Sequence, residues 1–551
     1  MPFLPPDLDA PWQKATLIQL RTSKMKPMHN LSITTGIYKL PRTTRVFCSI
    51  TGLESDEHDL TFHGGVDKAV HQYYPGHYAP WRVEFPSAAD SFQVGGFGEN
   101  LVADGNMNER NVCIGDKIRV GEALLQVSLP RQPCFKLNHR FGVKGFAPNT
   151  WRLSRTGWYY RVLEEGWLEV GDEVVLVERK YPDWTIERVQ EYLHRDKKNL
   201  PKLEELEGIE EFGNECKAAF KRMVAALRKE EKERISGGKE KEAERWKEFE
   251  LVEKNVLTKR ISSFVLQAVE KGKGEELDPG VFVRLKLPNG LIRPYSIVSG
   301  DTHRIQLGIT LEDESRGGSQ YLHKTLQQGD KILVGKITES VPISGSSSNH
   351  IFIAGGIGIT AFLFHINIYA QINFNYEMHY AVRSAGDIPY QNLLEKMGAN
   401  VTIYDKSKGE RMNIPKVLEN RKWNSYVYVC GPQRMIDDSV RAANACGMSQ
   451  DEIHYEAFQI ATSGDPFTAE LTKSKKTLQV GADQTLLEVM RAAGLEIDSS
   501  CETGNCGTCR VEVCIGRVEH RGSALSEEDK NDGKAMLSCV SRGVGHIVID
   551  F

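Results

Sequence analysis

Cys501-Glu-Thr-Gly-Asn-Cys506-Gly-Thr-Cys509 reads C-x4-C-x2-C, and Cys539 follows after 29 intervening residues. Four thiolates at this spacing can hold the two irons of a [2Fe-2S] cluster. Gly504 and Gly507 suit a loop whose backbone wraps closely around the metal and points amide N–H groups at sulfur. Structural zinc is the competing reading, but zinc sites usually pair two short C-x2-C units. Cys501, Cys506, Cys509 and Cys539 are therefore the expected metal ligands, with Cys514 outside the pattern as a packed thiol. Five of the eleven cysteines fall in the last tenth of the chain and the others are scattered. That distribution fits reduced thiols around a local metal centre better than a disulfide framework.

Working outward, 551 residues are too many for one core, and a prior of about 150 residues per domain gives about four domains. Hydrophobic residues at 40%, charged residues at 26% and 49 glycines exclude a fibrous or wholly disordered chain. The net charge of -4, from 70 basic and 74 acidic residues, gives no global reason to bind nucleic acid or an anionic membrane. Small molecules or proteins are the expected partners. The N-terminal MPFLPPDLDAPWQK shows neither an export nor an organelle signal, so a cytoplasmic location is expected. Ile351 to Ile372 has the length of a membrane span and no charge if His365 is neutral. It reads better as a strand at His350 to Ala354, a turn at Gly355-Gly356-Ile357-Gly358, and a helix from Ile359 onward.

From about residue 30 to 180, apolar runs such as Lys117 to Val127 alternate with glycine-rich turns, a β-dominated pattern. Trp184, Ile186, Val189 and Leu193 then fall at helical spacing and open a helical unit. Lys229 to Lys247 alternates charge signs around a Gly-Gly pair and reads as a linker. A second β-rich block precedes strand-like runs separated by helical intervals, the signature of a parallel sheet. The fold class is multidomain α/β and β. The expected boundaries are a β-barrel at 14–180, a three-helix domain at 181–235, a linker at 236–248, a β-barrel at 249–345, a nucleotide-binding α/β domain at 346–460 and a β-grasp domain at 467–551.

The cysteine segment resembles plant-type ferredoxins over its whole length, which implies the β-grasp fold. Arg293-Pro-Tyr295-Ser296 resembles the R-x-Y-S motif of ferredoxin-reductase-type flavoproteins, where the aromatic packs on the isoalloxazine. Arg316-Gly317-Gly318-Ser319 resembles the phosphate-binding segment of that family. Gly355-Gly356-Ile357-Gly358-Ile359-Thr360 and Cys430-Gly431-Pro432 match the two ends of its nicotinamide site. The order flavin, nicotinamide, cluster resembles the phthalate dioxygenase reductase family over about residues 250 to 551, and implies FMN in preference to FAD. NADH against NADPH stays open, inclined to NADH: Arg383 and Ser384 can accept a phosphate, but Asp387 is close by.

In the N-terminal half, Phe62-His63-Gly64-Gly65-Val66-Asp67-Lys68-Ala69, Phe97-Gly98-Glu99-Asn100-Leu101 and Arg131-Gln132-Pro133-Cys134-Phe135-Lys136-Leu137-Asn138 place polar residues beside glycine or proline. Together they resemble the MOSC domain of the 6-hydroxylaminopurine reductase (YiiM) family, and residues 184 to 235 resemble its three-helix domain. The resemblance implies a molybdenum cofactor, a pyranopterin, whose metal is held by the Cys134 thiolate. Neighbouring Arg131 and Lys136 favour the ionised thiol. His63, Asp67, Lys68, Glu99 and Asn100 match positions around the pterin, with Asn138 as a further candidate. The FHGG run continues Val-Asp-Lys where the bacterial pattern has Pro-Asp-Arg.

These resemblances imply an NAD(P)H-dependent oxidoreductase that passes electrons through FMN and [2Fe-2S] to molybdenum and reduces an N-hydroxylated or N-oxide substrate. The alternatives are an electron-transfer reductase serving a separate oxygenase through an external acceptor protein, or a tailoring oxidoreductase of specialised metabolism.

Overall fold

A computed structural model describes residues 7–60, 64–235, 246–288, 290–312, 317–340, 344–458, 462–522 and 524–551. The chain divides into two units, one of residues 1–241 with 345–348, the other of 242–344 with 349–551. The predicted linker at 236–248 falls largely outside the described residues.

In the first unit, alternating burial along Lys117–Val120 and near-complete burial along Ala123–Pro130 build the wall of a closed sheet. Its order is Glu173–Glu178, Lys117–Val120, Ala123–Pro130, Trp158–Glu164, Val70–Gln72, Leu101–Ala103 and Lys14–Thr22. Pairing of Lys14–Thr22 with Glu173–Glu178 closes the ring, which removes both open edges. Leu17, Ile118, Leu125, Val127, Trp158 and Tyr160 fill it. They pack in one cluster with Trp184, Ile186, Val189, Leu203, Leu206, Phe212 and Phe220 of the helical segment. The helices Ile186–Gln190, Leu200–Glu207 and Asn214–Ile235 therefore share the barrel's core. A second cluster, almost wholly aromatic, joins Tyr73, Tyr78, Trp81, Phe92, Phe97, Phe141 and Phe146. It anchors the short helix Phe135–Phe141, which begins just after Cys134.

The second unit opens with another closed barrel. Its order is Ile292–Gly300, Arg304–Thr310, Ile261–Ala268, Lys247–Val256, Lys331–Val334 and Val281–Lys286, closed by pairing of the first and last. Next comes a five-stranded sheet ordered Val401–Asp405, Tyr376–Val382, Asn349–Gly355, Ser425–Cys430 and Ile453–Glu456, parallel throughout. The apolar run at 351–372 resolves into the end of the strand Asn349–Gly355, a tight turn at Gly356–Ala361 and the helix Leu363–Gln371. Among the described residues no helix is long and apolar enough to cross a membrane. The last domain is a mixed sheet with the helix Leu486–Ala492, whose Thr485 and Glu488 form a capping box at its start. It is a β-grasp.

Candidate functional site

The four C-terminal cysteines fall into two pairs. Cys509 Sγ and Cys539 Sγ are 3.2 Å apart, and the Cys501 amide donates to Cys506 Sγ at 3.4 Å. The Thr503 and Asn505 amides donate to Cys501 Sγ at 3.4 and 3.2 Å, and the Thr508 hydroxyl donates to Cys506 Sγ at 3.3 Å. Hydrogen bonds from the Cys501 thiol and amide and from Thr508 hold the Cys506 thiol well below its ordinary range. Two sulfur pairs in a nest of N–H donors fit a two-iron cluster. Gly504, at φ 75°, leaves no room for a side chain, because a Cβ would lie 2.8 Å from Val540 Cγ2. Among the described residues no three His, Cys, Asp or Glu side chains converge as a cage for a single ion. Cys514 is exposed, not packed, because alternation along its strand buries Val511 and Val513 and turns Glu512 and Cys514 to solvent.

The cluster loop meets both neighbouring domains of its unit. Ser500 Oγ lies 3.4 Å from Thr338 Oγ1 of the barrel, and Asn505 Nδ2 donates to the Ala457 carbonyl at 3.1 Å. Ala457 directly follows the strand Ile453–Glu456.

On the barrel, Arg293, Tyr295 and Ser296 lie on the strand Ile292–Gly300, and Arg293 and Tyr295 face the start of the helix Gly318–Lys324. A Cβ on Gly318 would lie 3.0 Å from Arg293 Cγ and 3.6 Å from Tyr295 Oη, so the two predicted flavin motifs converge. Burial pushes the Tyr295 phenol well above its ordinary range. Ser319 Oγ accepts from the Glu312 amide at 3.2 Å, which ties the helix start to the barrel strand's exit. Arg316 lies outside the described residues.

The two nicotinamide motifs stand side by side, because Ala354 and Cys430 are register partners in the parallel sheet. A Cβ on Gly358 would lie 2.2 Å from the Cys430 carbonyl oxygen and one on Gly355 2.9 Å from Pro432 Cδ, so only glycine lets these loops meet. Gly431 lies against the Gly355 backbone, and Gly356 is at φ 55° in the turn between them. Thr360 donates to the Ile357 carbonyl at 2.9 Å and reaches the barrel at Gly308. Cys430 is fully buried, and burial pushes its thiol well above its ordinary range. Its register partner is Glu456, a residue the motifs did not mark. Burial raises the Glu456 carboxyl to about 7, against a hydrogen bond from Ser340. Asp405 is likewise unmarked. It ends the strand beside Val382, with Oδ1 holding Ser407 at 2.6 and 2.8 Å and Oδ2 buried without a partner among the described residues. Ser384 Oγ donates to Asp387 at 2.8 Å, and Arg383 is exposed.

In the first unit, Cys134, Arg131, Lys136 and Asn100 line one pocket, together with Lys39, His58, Asp59, His71 and Tyr159. Lys136 does not offer its charge to Cys134 as expected, because its ammonium is paired with Asp59 at 2.6 Å and both are buried. Arg131 shares the pocket with Cys134: it is 4% exposed, packs over the Phe97 ring at 5.7 Å and interacts with the Tyr159 phenol, while its Nε and Nη1 lack partners among the described residues. Asn100 stiffens the wall, donating to Asp56 at 2.8 Å and accepting from the His71 amide at 3.0 Å. Asp56 also holds Lys39 at 2.5 Å and His58 at 3.3 Å. Burial lowers the Lys39 ammonium's affinity for its proton, and burial with the Lys39 charge lowers that of His58. A thiol and a buried guanidinium in one pocket are groups that could hold a metal and the anionic end of a pterin.

Three predicted pterin residues are placed elsewhere. Glu99 is fully buried and staples its own loop, accepting from Tyr78 Oη at 2.7 Å and from the Gly95 and Phe97 amides at 2.6 and 3.1 Å. Asp67 accepts from Arg161 at 2.7 Å and from the Asn214 amide at 2.9 Å, and Lys68 pairs with Glu215. Both therefore bind the helical layer to the barrel. Asn138 accepts from the Ala147 amide at 2.6 Å. His63 lies outside the described residues.

A MOSC domain model matches residues 59–175, and a 2Fe-2S iron-sulfur cluster binding domain model matches 469–543. A reductase of Gibberella moniliformis is 35% identical over 556 aligned positions, 97% of this chain and 95% of its own. The beta subunit of a heme-dependent oxidative N-demethylase from Ectopseudomonas mendocina is 37% identical over 273 positions, 49% of this chain and 87% of its own. Among solved structures, phthalate dioxygenase reductase aligns over 56% of this chain and 98% of that one, at 26% identity and a TM-score of 0.46. YiiM from Geobacillus stearothermophilus aligns over 38% and 99%, at 27% identity and a TM-score of 0.33. Matched along nearly its whole length, the chain belongs to the family of the Gibberella moniliformis reductase, and in this chain a MOSC domain is joined to a reductase half that ends in a [2Fe-2S] ferredoxin domain.

Proposed function

We propose that the chain is an NAD(P)H-dependent electron-transfer reductase whose second unit takes a hydride from a nicotinamide and delivers electrons singly through its ferredoxin domain. FMN bound on the first barrel of that unit supplies the ability to accept two electrons together and part with them one at a time. Arg293, Tyr295 and Gly318 shape the seat for the flavin, with Ser296 behind them. Gly355, Gly356 and Gly358 let the backbone approach the dinucleotide. Cys430 and Glu456 form the dry end of the nicotinamide site, and Glu456 is placed to hold a proton there.

The observation that carries this reading is the continuity from Cys430 to Glu456, Ala457 and Asn505, which ties the nicotinamide site to the cluster loop. The E. mendocina relative's name, a demethylase beta subunit, supports an acceptor protein outside the chain. Anaerobic addition of NADH tests the proposal: both the flavin absorbance and the iron-sulfur signal should change. A cluster left oxidised beside a reduced flavin would reject it.

A second reading, favoured by Arg131 and Cys134 sharing one pocket, is that a molybdenum cofactor in the MOSC domain receives the electrons and an N-hydroxylated or N-oxide compound is the substrate. There Arg131 would hold the cofactor's anionic group and Cys134 its metal. Metal analysis of protein from a host competent in the cofactor separates the readings, with about one molybdenum per two irons on the second and iron without molybdenum on the first.

A further inference from the structure

Asn505 faces two ways. Its backbone N–H donates to Cys501 Sγ at 3.2 Å, while its side-chain Nδ2 donates to the Ala457 carbonyl at 3.1 Å and to Thr503 Oγ1 at 3.1 Å. Ala457 is buried and lies one residue beyond Glu456, the register partner of Cys430. Its carbonyl stands past the end of the strand Ile453–Glu456, where the sheet ladder no longer supplies a partner. The loop that carries Asn505 is also braced from its own domain. Glu502 adopts φ 54°, a conformation that favours glycine, and Arg491 of the helix Leu486–Ala492 grips its carboxylate at 2.8 Å. The second contact with another domain, Ser500 to Thr338, is longer at 3.4 Å.

A neutral amide–carbonyl bond contributes little net stability, because folding only exchanges it for bonds to water, and is too weak to hold two domains together by itself. Its value lies in direction, since a short amide with both ends committed fixes where the loop can sit. We propose that Asn505 is the positioning residue that docks the cluster loop onto the nicotinamide-binding domain and thereby sets the rate of electron transfer from the flavin to the cluster. This rests on the electron-transfer reading above.

The test uses the full-length holoprotein with Asn505→Ala and Asn505→Asp, the second keeping size but setting a carboxylate against the Ala457 carbonyl. Thr503→Ser serves as a control that keeps the hydroxyl and its bonds to Asn505 and the Cys501 sulfur. Because the N–H to Cys501 Sγ belongs to the backbone, the spectrum of the chemically reduced cluster should be unchanged in every variant. Hydrogen exchange of peptides spanning 453–458 and 499–509 should quicken about fivefold in both Asn505 variants. Flavin bleaching by NADH should keep its rate, while cluster reduction slows at least tenfold, and Thr503→Ser should match the wild type. Wild-type cluster reduction in both Asn505 variants would overturn the inference. So would slowing matched by a shift in cluster potential, since Asn505 would then tune driving force instead of position. Failure of NADH to reduce the cluster in the wild type would overturn the reductase reading, and the inference with it.

Discussion

Glu456 stands directly across from Cys430 in the parallel register of the strands Ile453–Glu456 and Ser425–Cys430. A buried carboxyl facing a buried thiol, with neither charge answered, keeps its proton when folded and loses it when unfolded. The folded carboxyl titrates at about 7 and a free glutamate near about 4.3. Between those values the folded state binds more protons, so stability is greatest at the acid end and falls as pH rises through about 7. The slope is at most about 1.4 kcal/mol per pH unit. Glu456→Gln should flatten this part of the profile, as read from thermal midpoints of the second unit between pH 4.5 and 7.5.

Cys539→Ser should abolish the [2Fe-2S] absorbance and halve or worse the bound iron, because it breaks the pair with Cys509. Flavin reduction by NADH should persist, since the Arg293, Tyr295 and Gly318 seat lies in a separate domain. Iron analysis and anaerobic flavin bleaching on the same sample check both halves of this outcome.

Arg131→Met should stabilise the cofactor-free protein, because methionine fills the site without a buried charge, by about 1 kcal/mol or more. The same change should cost the pocket its hold on an anion. Thermal unfolding without cofactor and molybdenum content after expression in a competent host should therefore move in opposite directions. Cys134→Ser should lower the molybdenum content and leave the unfolding midpoint nearly unchanged, as Cys134 is only partly buried.

Asp405 carries a buried oxygen with no partner among the described residues, beside the strand end that leads into Arg383. A buried carboxylate there welcomes a ribose hydroxyl and repels a 2′-phosphate. NADH should be preferred over NADPH in kcat/KM, and Asp405→Ser should narrow the preference about tenfold or more, chiefly through KM for NADPH.

What could be read from the sequence was local. Cys501 to Cys509, Arg293 to Ser296, Gly355 to Thr360 and Cys430 to Pro432 each sit within a few residues, with Cys539 after 29 more, and spacing alone marks them. The apolar run at 351–372 resolved into strand, turn and helix, because Gly355, Gly356 and Gly358 crowd a turn near its start. Residues whose roles depend on distant partners were misread or missed. Asp67 finds Arg161 94 residues away and Asn214 147 away, and Lys136 finds Asp59 at 77. A carboxylate next to glycines looks the same whether it lines a pocket or staples a loop, which is why Glu99 misled. Lys39 and Asp56, Glu456 and Asp405 had no motif, because burial and register are what make them unusual.

The shared interior of the first barrel and its helices bears on how this half of the chain can be inherited or rearranged. Trp184, Ile186 and Val189 belong to the same packed interior as Leu125 and Val127, so a gene cut at residue 180 would lay open a wall evolved never to meet water. The transferable cassette is the whole of 14–235, and recombination that preserves it must fall beyond Ile235, where the long helix Asn214–Ile235 ends.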